Sequence, residues 1–247
     1  MDQKELEKIV QEEIRRVENE FTFEKKHLSM SPKEIAKYID HTLLKAFALT
    51  TDIEILCKEA IDNNFFAICV NPTYVSLAKE LLQNSNIKIA TVIGFPLGAN
   101  TVETKVFEAQ DAIKNGADEL DMVINIGRLK AKEYYYVYKE IERIADVSKN
   151  KGKLLKVIIE TCYLTQEEKI AAVTISKLAK ADYVKTSTGF GTHGATAEDV
   201  SLMKFVGEDK LKVKASGGIK DYQTALEMIA AGANRIGTSS GVKIVSN

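Results

Sequence analysis

The sequence predicts an α/β fold, a (β/α)8 TIM barrel with an N-terminal helical extension, on three observations. After residue 34, eight short apolar runs alternate with longer helical patterns, and strands that alternate with helices of ten or more residues build parallel β-α-β units. The length of 247 residues suits one such barrel, which takes about 250 residues. Glycine- and serine-rich turns, "SGGI" and "GTSSG", follow the seventh and eighth runs, the positions where barrels commonly hold a phosphate. An open doubly wound sheet would give a similar string, so periodicity alone does not settle closure.

Residues 1–34 form the extension and 35–247 the barrel. In "MDQKELEKIVQEEIRRVENEFTFEKK", Leu6, Ile9, Val10, Ile14, Val17 and Phe21 recur at three- and four-residue steps, one apolar face of an amphipathic helix. That face is expected to pack on the barrel's outside or on another subunit. The segment lacks the continuous apolar core of a signal peptide. The strands are "KYIDHT", "FFAICV", "IKIATVIGF", "DELDMVIN", "LLKVIIE", "DYVKTS", "LKVKAS" and "NRIGTS". Between them, Thr51 with Glu54, Asn100 with Glu103 and Thr165 with Glu168 are spaced as capping boxes at helix starts. Gly116, Gly152 and Gly232 stand where left-handed helix C-caps belong. After the eighth strand only "SGVKIVSN" remains, too short for a full closing helix, so the N-terminal helix is expected to cover part of that gap.

Composition narrows the function classes. Hydrophobic residues make up 45% of the chain, enough for a substantial core, and no apolar stretch approaches the ~20 residues of a membrane span. Thirty-four basic against thirty-five acidic side chains give a net charge of −1, which offers no electrostatic footprint for nucleic acid or anionic lipid. Cys57, Cys69 and Cys162 are odd in number and lack C-x-x-C spacing, arguing against a disulfide framework and a zinc knuckle and for a reducing cytoplasm. His27, His41 and His193 are widely spaced and form no metal-ligand motif.

The chemistry is carried by two lysines. Lys185 interrupts an apolar, β-branched run, and Lys214 repeats the pattern one strand later; an inward lysine in a buried sheet is costly unless it is paired or sheds its proton. Strand alternation puts Tyr183, Lys185 and Ser187 on one face, and Lys212, Lys214 and Ser216 on one face of the next strand. The two lysines should therefore be close, each one step from the phosphate-loop end. Asp121 in the fourth strand and Asp40 in the first face the same interior, whereas Lys212 and Arg235 point inward near the opposite mouth, as ion-pairing groups. Two ammonium groups forced together repel, and apolar walls add to the effect, so at least one should titrate below the ordinary lysine range. A neutral amine is a nucleophile toward a carbonyl. The alternative is that each lysine pairs with an acid, Asp121 or Glu160.

The blocks "IDHTLL", "CVNP", "VIGFPLGAN", "GADELDMVINIG", "KVIIET", "DYVKTSTGF", "VKASGGI" and "RIGTSSG" together resemble the deoxyribose-phosphate aldolase family, from Ile39 to Val245. The resemblance implies a class I aldolase that reversibly cleaves 2-deoxy-D-ribose 5-phosphate to D-glyceraldehyde 3-phosphate and acetaldehyde, with no metal and no cofactor. It carries the Schiff-base lysine onto Lys185, the lysine that tunes it onto Lys214, the proton-relay acid onto Asp121 and a supporting acid onto Asp40. The phosphate site falls on Gly189, Gly217, Gly218, Gly237, Ser239 and Ser240. His193 in "GFGTHGAT" stands where glycine is expected, a solvent-facing departure. The partners so implied are small-molecule phosphosugar and aldehyde substrates, with no nucleic acid and no membrane, and a homo-oligomer is expected. A phosphosugar isomerase or a non-catalytic phosphosugar-binding barrel would use the same scaffold, and a metal-dependent aldolase would need ligands. Cys69 is expected to be a small buried hydrophobe, His41 to pack outward against a helix, and the tyrosines 134–136 and 138 to serve packing or a subunit contact.

Overall fold

The structure, a computed structural model, describes residues 1–246. All eight expected strands form: β1 (Ile39–Leu43), β2 (Ala67–Val70), β3 (Lys88–Ile93), β4 (Glu119–Val123), β5 (Leu154–Ile158), β6 (Tyr183–Lys185), β7 (Lys212–Ser216) and β8 (Arg235–Thr238). They pair in sequence order as a closed parallel barrel. Closure rests on β1 and β8, where Asp40 stands opposite Gly237. The open sheet is thereby excluded.

Eleven helices accompany the strands among the described residues: α1 (Gln3–Glu20) and α2 (Pro32–Ala36) before β1, α3 (Thr50–Asp62) and α4 (Val75–Leu81) after β1 and β2, α5 (Val102–Asn115) after β3, α6 (Ile126–Lys130) and α7 (Tyr134–Lys149) after β4, and α8 (Gln166–Leu178), α9 (Ala197–Gly207), α10 (Tyr222–Ala230) and α11 (Gly241–Val245) after β5 to β8. The Thr165–Glu168 capping box forms at the start of α8. The other two expected caps shift. Leu49 is the N-cap of α3, its N–H donating to Asp52 Oδ2 at 2.8 Å, and Thr101 rather than Asn100 caps α5, accepting from the Thr104 N–H. Gly116, Gly152 and Gly232 all have positive φ.

In α1, Leu6, Val10, Ile14 and Val17 are buried against α8 and α7. The helix therefore does not cover the gap beyond β8. The chain after it crosses α9 and α10 instead, with the Phe21 ring 5.4 Å from that of Phe205, Lys25 Nζ 2.9 Å from Glu227 Oε1, and Tyr222 Oη donating to the Met30 carbonyl. It delivers α2, which packs on α10 and α11. The short helix, set by a Ser31–Glu34 capping box and Pro32 in its first turn, fills the place expected of the long one.

The barrel interior is divided by chemistry. Cys69, Ala90 and Val92 of β2 and β3, with Leu44 beyond β1, form an apolar cluster. The side completed by β4 to β8 and β1 is ionic: Asp40, Glu119, Asp121, Lys156, Lys185, Lys214 and Arg235 are all buried. Charges at such depth persist only with partners close by.

Candidate active site

The register sets the two lysines side by side, Lys185 of β6 opposite Lys214 of β7. They do not meet as bare ammonium groups. Asp121 lies between them, its Oδ2 accepting from Lys185 Nζ at 2.9 Å and from Lys214 Nζ at 2.8 Å. Lys214 also ion-pairs with Asp40 Oδ2 at 2.5 Å. Of the two acids open for pairing, Asp121 takes both lysines and Glu160 takes neither.

Two further residues, neither expected from the strand pattern, complete the network. Lys156 Nζ donates to Asp121 Oδ1 at 2.7 Å and lies 2.6 Å from Glu119 Oε2. Arg235 then ties Glu119 to Asp40: its Nε donates to Asp40 Oδ1 at 2.7 Å, and Nη1 and Nη2 donate to Glu119 at 3.2 and 3.1 Å. The alternation that placed Asp121 inward also places Glu119 two residues before it and Lys156 opposite it. Lys212, expected inward with Arg235, is instead exposed, its Nζ 5.6 Å from the centroid of the Tyr183 ring. It opens β7, where the strand emerges from the barrel.

Burial pushes the Asp121 carboxyl up, but the charges of Lys156, Lys185 and Lys214 outweigh it and hold the group well below the usual carboxylate range. Asp40 is likewise lowered, with Arg235 and Lys214 overcoming its burial. Burial pushes Lys214 down, yet Asp121 and Asp40 raise it above the ordinary lysine range, the direction expected of the lysine that tunes Lys185. Its two carboxylate partners favour the charged form. The network thus joins four cations, Lys156, Lys185, Lys214 and Arg235, to three carboxylates, Asp40, Glu119 and Asp121.

Lys185 alone of these seven reaches the cleft at the C-terminal end of the strands, a space of about 300 Å³. Asp121, Lys214 and Asp40 are fully buried behind it. The other wall comes from the predicted phosphate loops: Gly189, Gly217, Gly218, Gly237 and Ser239 all line the cleft. Ser240 does not, and its N–H donates to Thr238 Oγ1 at 2.9 Å. Lys45 and Lys220, which were not expected, bring cationic side chains to the same wall; the signal for Lys220 was its place two residues after the glycine pair. The loops after β6 and β7 meet so closely that a Cβ on Gly194 would lie 2.1 Å from the Gly217 carbonyl oxygen. His193, beside it, is exposed.

The remaining expectations concern packing. Cys69 is fully buried and its thiol pushed up by that burial. His41 points outward, its Nε2 2.7 Å from Glu59 Oε2 on α3. Tyr134 is buried on α7, whereas Tyr135 is exposed.

The profile of the DeoC/LacD aldolase family matches residues 34–247. A deoxyribose-phosphate aldolase of Thermotoga petrophila is 56% identical over 236 residues, 96% of this chain and 94% of its own. A crystal structure from Coccidioides immitis matches with a TM-score of 0.93 and 40% identity, covering 99% of this chain and 97% of that one. The deoxyribose phosphate aldolase of Aeropyrum pernix, described as tetrameric, matches with a TM-score of 0.82 and 36% identity over 87% of this chain and 91% of its own.

Proposed function

The chain belongs to the DeoC/LacD family of aldolases, and from that membership we propose that it cleaves 2-deoxy-D-ribose 5-phosphate, reversibly, to D-glyceraldehyde 3-phosphate and acetaldehyde through a Schiff base on Lys185. The observation that carries the reading is the single oxygen, Asp121 Oδ2, shared by Lys185 and Lys214. One lysine is held as a cation by two carboxylates; the other has one carboxylate oxygen and an open cleft. Of the seven charged groups in the network, Lys185 is the one that faces the cleft in which substrate would bind.

The Lys185 amine attacks C1 of the open-chain sugar. Two of the three ammonium protons leave with the carbonyl oxygen as water, and the nitrogen keeps one as a protonated imine, so charge is conserved. Asp121, 2.9 Å from the nitrogen, takes and returns these protons. The iminium then serves as the electron sink, which is why the cleavage needs no metal. The C3 hydroxyl gives up its proton, the C2–C3 bond breaks, and the three-carbon glyceraldehyde 3-phosphate leaves. The bond pair becomes the C1–C2 double bond of an enamine on Lys185. Water in the cleft carries the proton to Asp121 and back to C2; hydrolysis releases acetaldehyde. The glycine turns and Ser239 hold the phosphate, with Lys220 and Lys45 opposing its charge, so that binding at the far end orients C1 against the amine.

Lys185→Met removes the amine that the barrel interior presents to the cleft and should lower acetaldehyde release by about four orders of magnitude or more, as loss of a covalent nucleophile does elsewhere. A variant within tenfold of the wild-type rate would overturn the assignment. The same reading places the enzyme in a reducing cytoplasm, in keeping with three free thiols. It takes the enzyme as a homo-oligomer, supported by exposed Phe47, Leu97 and Phe107 and by the tetramer described for the Aeropyrum pernix relative.

A further inference from the structure

Glu160 is a buried carboxylate that the mechanism above does not use. It is 2% exposed and forms no ion pair among the described residues, unlike the other acids of the barrel interior. Its backbone lies in the left-handed region, φ 53° and ψ 68°, a conformation that a non-glycine residue holds only where its surroundings impose it. Those surroundings are the end of β6. On one side the Ile159 N–H donates to the Lys185 carbonyl at 3.0 Å, and on the other the Thr161 N–H donates to the Thr186 carbonyl at 2.9 Å.

The turn between these two bonds aims the carboxylate at the loop that follows Lys185. Glu160 accepts from the Thr188 N–H, at 3.3 Å to Oε1 and 3.2 Å to Oε2, and from the Thr188 hydroxyl. Thr188 Oγ1 in turn accepts from the Phe190 N–H at 3.0 Å. Gly191 rests on the same group: a Cβ there would lie 3.1 Å from Glu160 Oε1. Thr188, Gly189 and Phe190 all line the cleft, and the Phe190 ring stands edge-on to that of Phe95, 5.4 Å between centroids.

We propose that Glu160 is a positioning residue that sets substrate specificity: through Thr188 it fixes the Gly189–Phe190 turn, and so the phosphate-facing wall of the cleft, without touching substrate. The proposal rests on the aldolase reading. A carboxylate is suited to this because it is purely an acceptor and can take the N–H and the hydroxyl of one residue together. Glutamine keeps the size but brings a donor face against those same donors, so the turn loses one anchor.

The test compares deoxyribose 5-phosphate with unphosphorylated deoxyribose. Glu160→Gln should raise KM for the phosphorylated sugar about tenfold or more, leave kcat/KM for deoxyribose within a factor of about three, and leave borohydride trapping of acetaldehyde on Lys185 intact. Thr188→Val, which removes the hydroxyl link, should show the same selective loss, and Thr188→Ser should restore most of it. The double variant Glu160→Gln with Thr188→Val should lose no more than either single one, because both break one chain of contacts. Multiplying losses would mean that Thr188 acts on phosphate by itself and would overturn the proposal. Equal losses for both sugars would also overturn it, and so would an unchanged substrate ratio in Glu160→Gln. Should that variant not fold, Thr188→Val and Thr188→Ser decide alone: without a selective loss that serine restores, the proposal falls. Wild-type enzyme that fails to trap acetaldehyde on Lys185 would instead overturn the aldolase reading.

Discussion

Asp121 brings two buried lysines to one atom, and what separates them is what else each one holds. Lys214 has Asp40 as well, and stays charged; Lys185 has the cleft. Removing the Lys214 charge leaves Asp121 and Asp40 with less compensation, and both would then favour the ammonium form of Lys185. In Lys214→Met, borohydride trapping at Lys185 should therefore require a more alkaline solution than in the wild type, with activity at neutral pH down by about a hundredfold, the scale of a lost acid-base partner. An unshifted trapping profile would show that the Lys214 charge does not set the state of the Lys185 amine. Lys185, Lys214, Asp121 and Asp40 were legible because alternation along a strand fixes which face a residue occupies. Lys156 and Glu119 obey the same rule and were passed over, since a lysine near the start of a strand is as easily a surface residue, as Lys212 is. Glu160 was legible as an acid near the lysines, but its partner was not: a left-handed turn redirects it, and no spacing rule reports such a turn.

Strand and helix type follow from the periodicity of the sequence, whereas the helix ends depend on local cap geometry. Thr165 caps α8 and closes a reciprocal box with Glu168, whereas Thr51 lies inside the first turn of α3 because Leu49 and Asp52 set the start. The two threonines look alike in sequence, and a two-residue difference in where the chain turns decides their roles. Thr165→Ala should cost about 1 kcal/mol of stability, and Thr51→Ala should stay within about 0.5 kcal/mol of wild type, both read from urea midpoints. Equal losses would show that the caps are misassigned. The destination of α1 was not legible either. Its apolar stripe fixes which face is buried, but the partner is chosen by the segment after it, which runs over α9 and α10 and leaves α2 to face α11.

At the scale of the molecule, closure joins Asp40 to Gly237, a pairing so distant in sequence that local periodicity cannot report it. It also brings Asp40 to Lys214 and Arg235, completing the ionic half of the interior. The extension is part of the packed structure: Leu6 is fully buried in one core cluster with the helices of the barrel. Leu6→Ala should lower stability by about 2–5 kcal/mol while leaving the Lys185 adduct per folded molecule unchanged, because α1 lies on α7 and α8, outside the ring that carries the cleft. No loss of stability would place α1 elsewhere. The central claim, that Lys185 is the amine that forms the covalent intermediate, is tested most directly by reducing the enzyme with borohydride in the presence of acetaldehyde and mapping the modified peptide by mass. The account predicts a two-carbon adduct on Lys185, absent from Lys185→Met; no adduct, or one confined to Lys214 or another lysine, would contradict it.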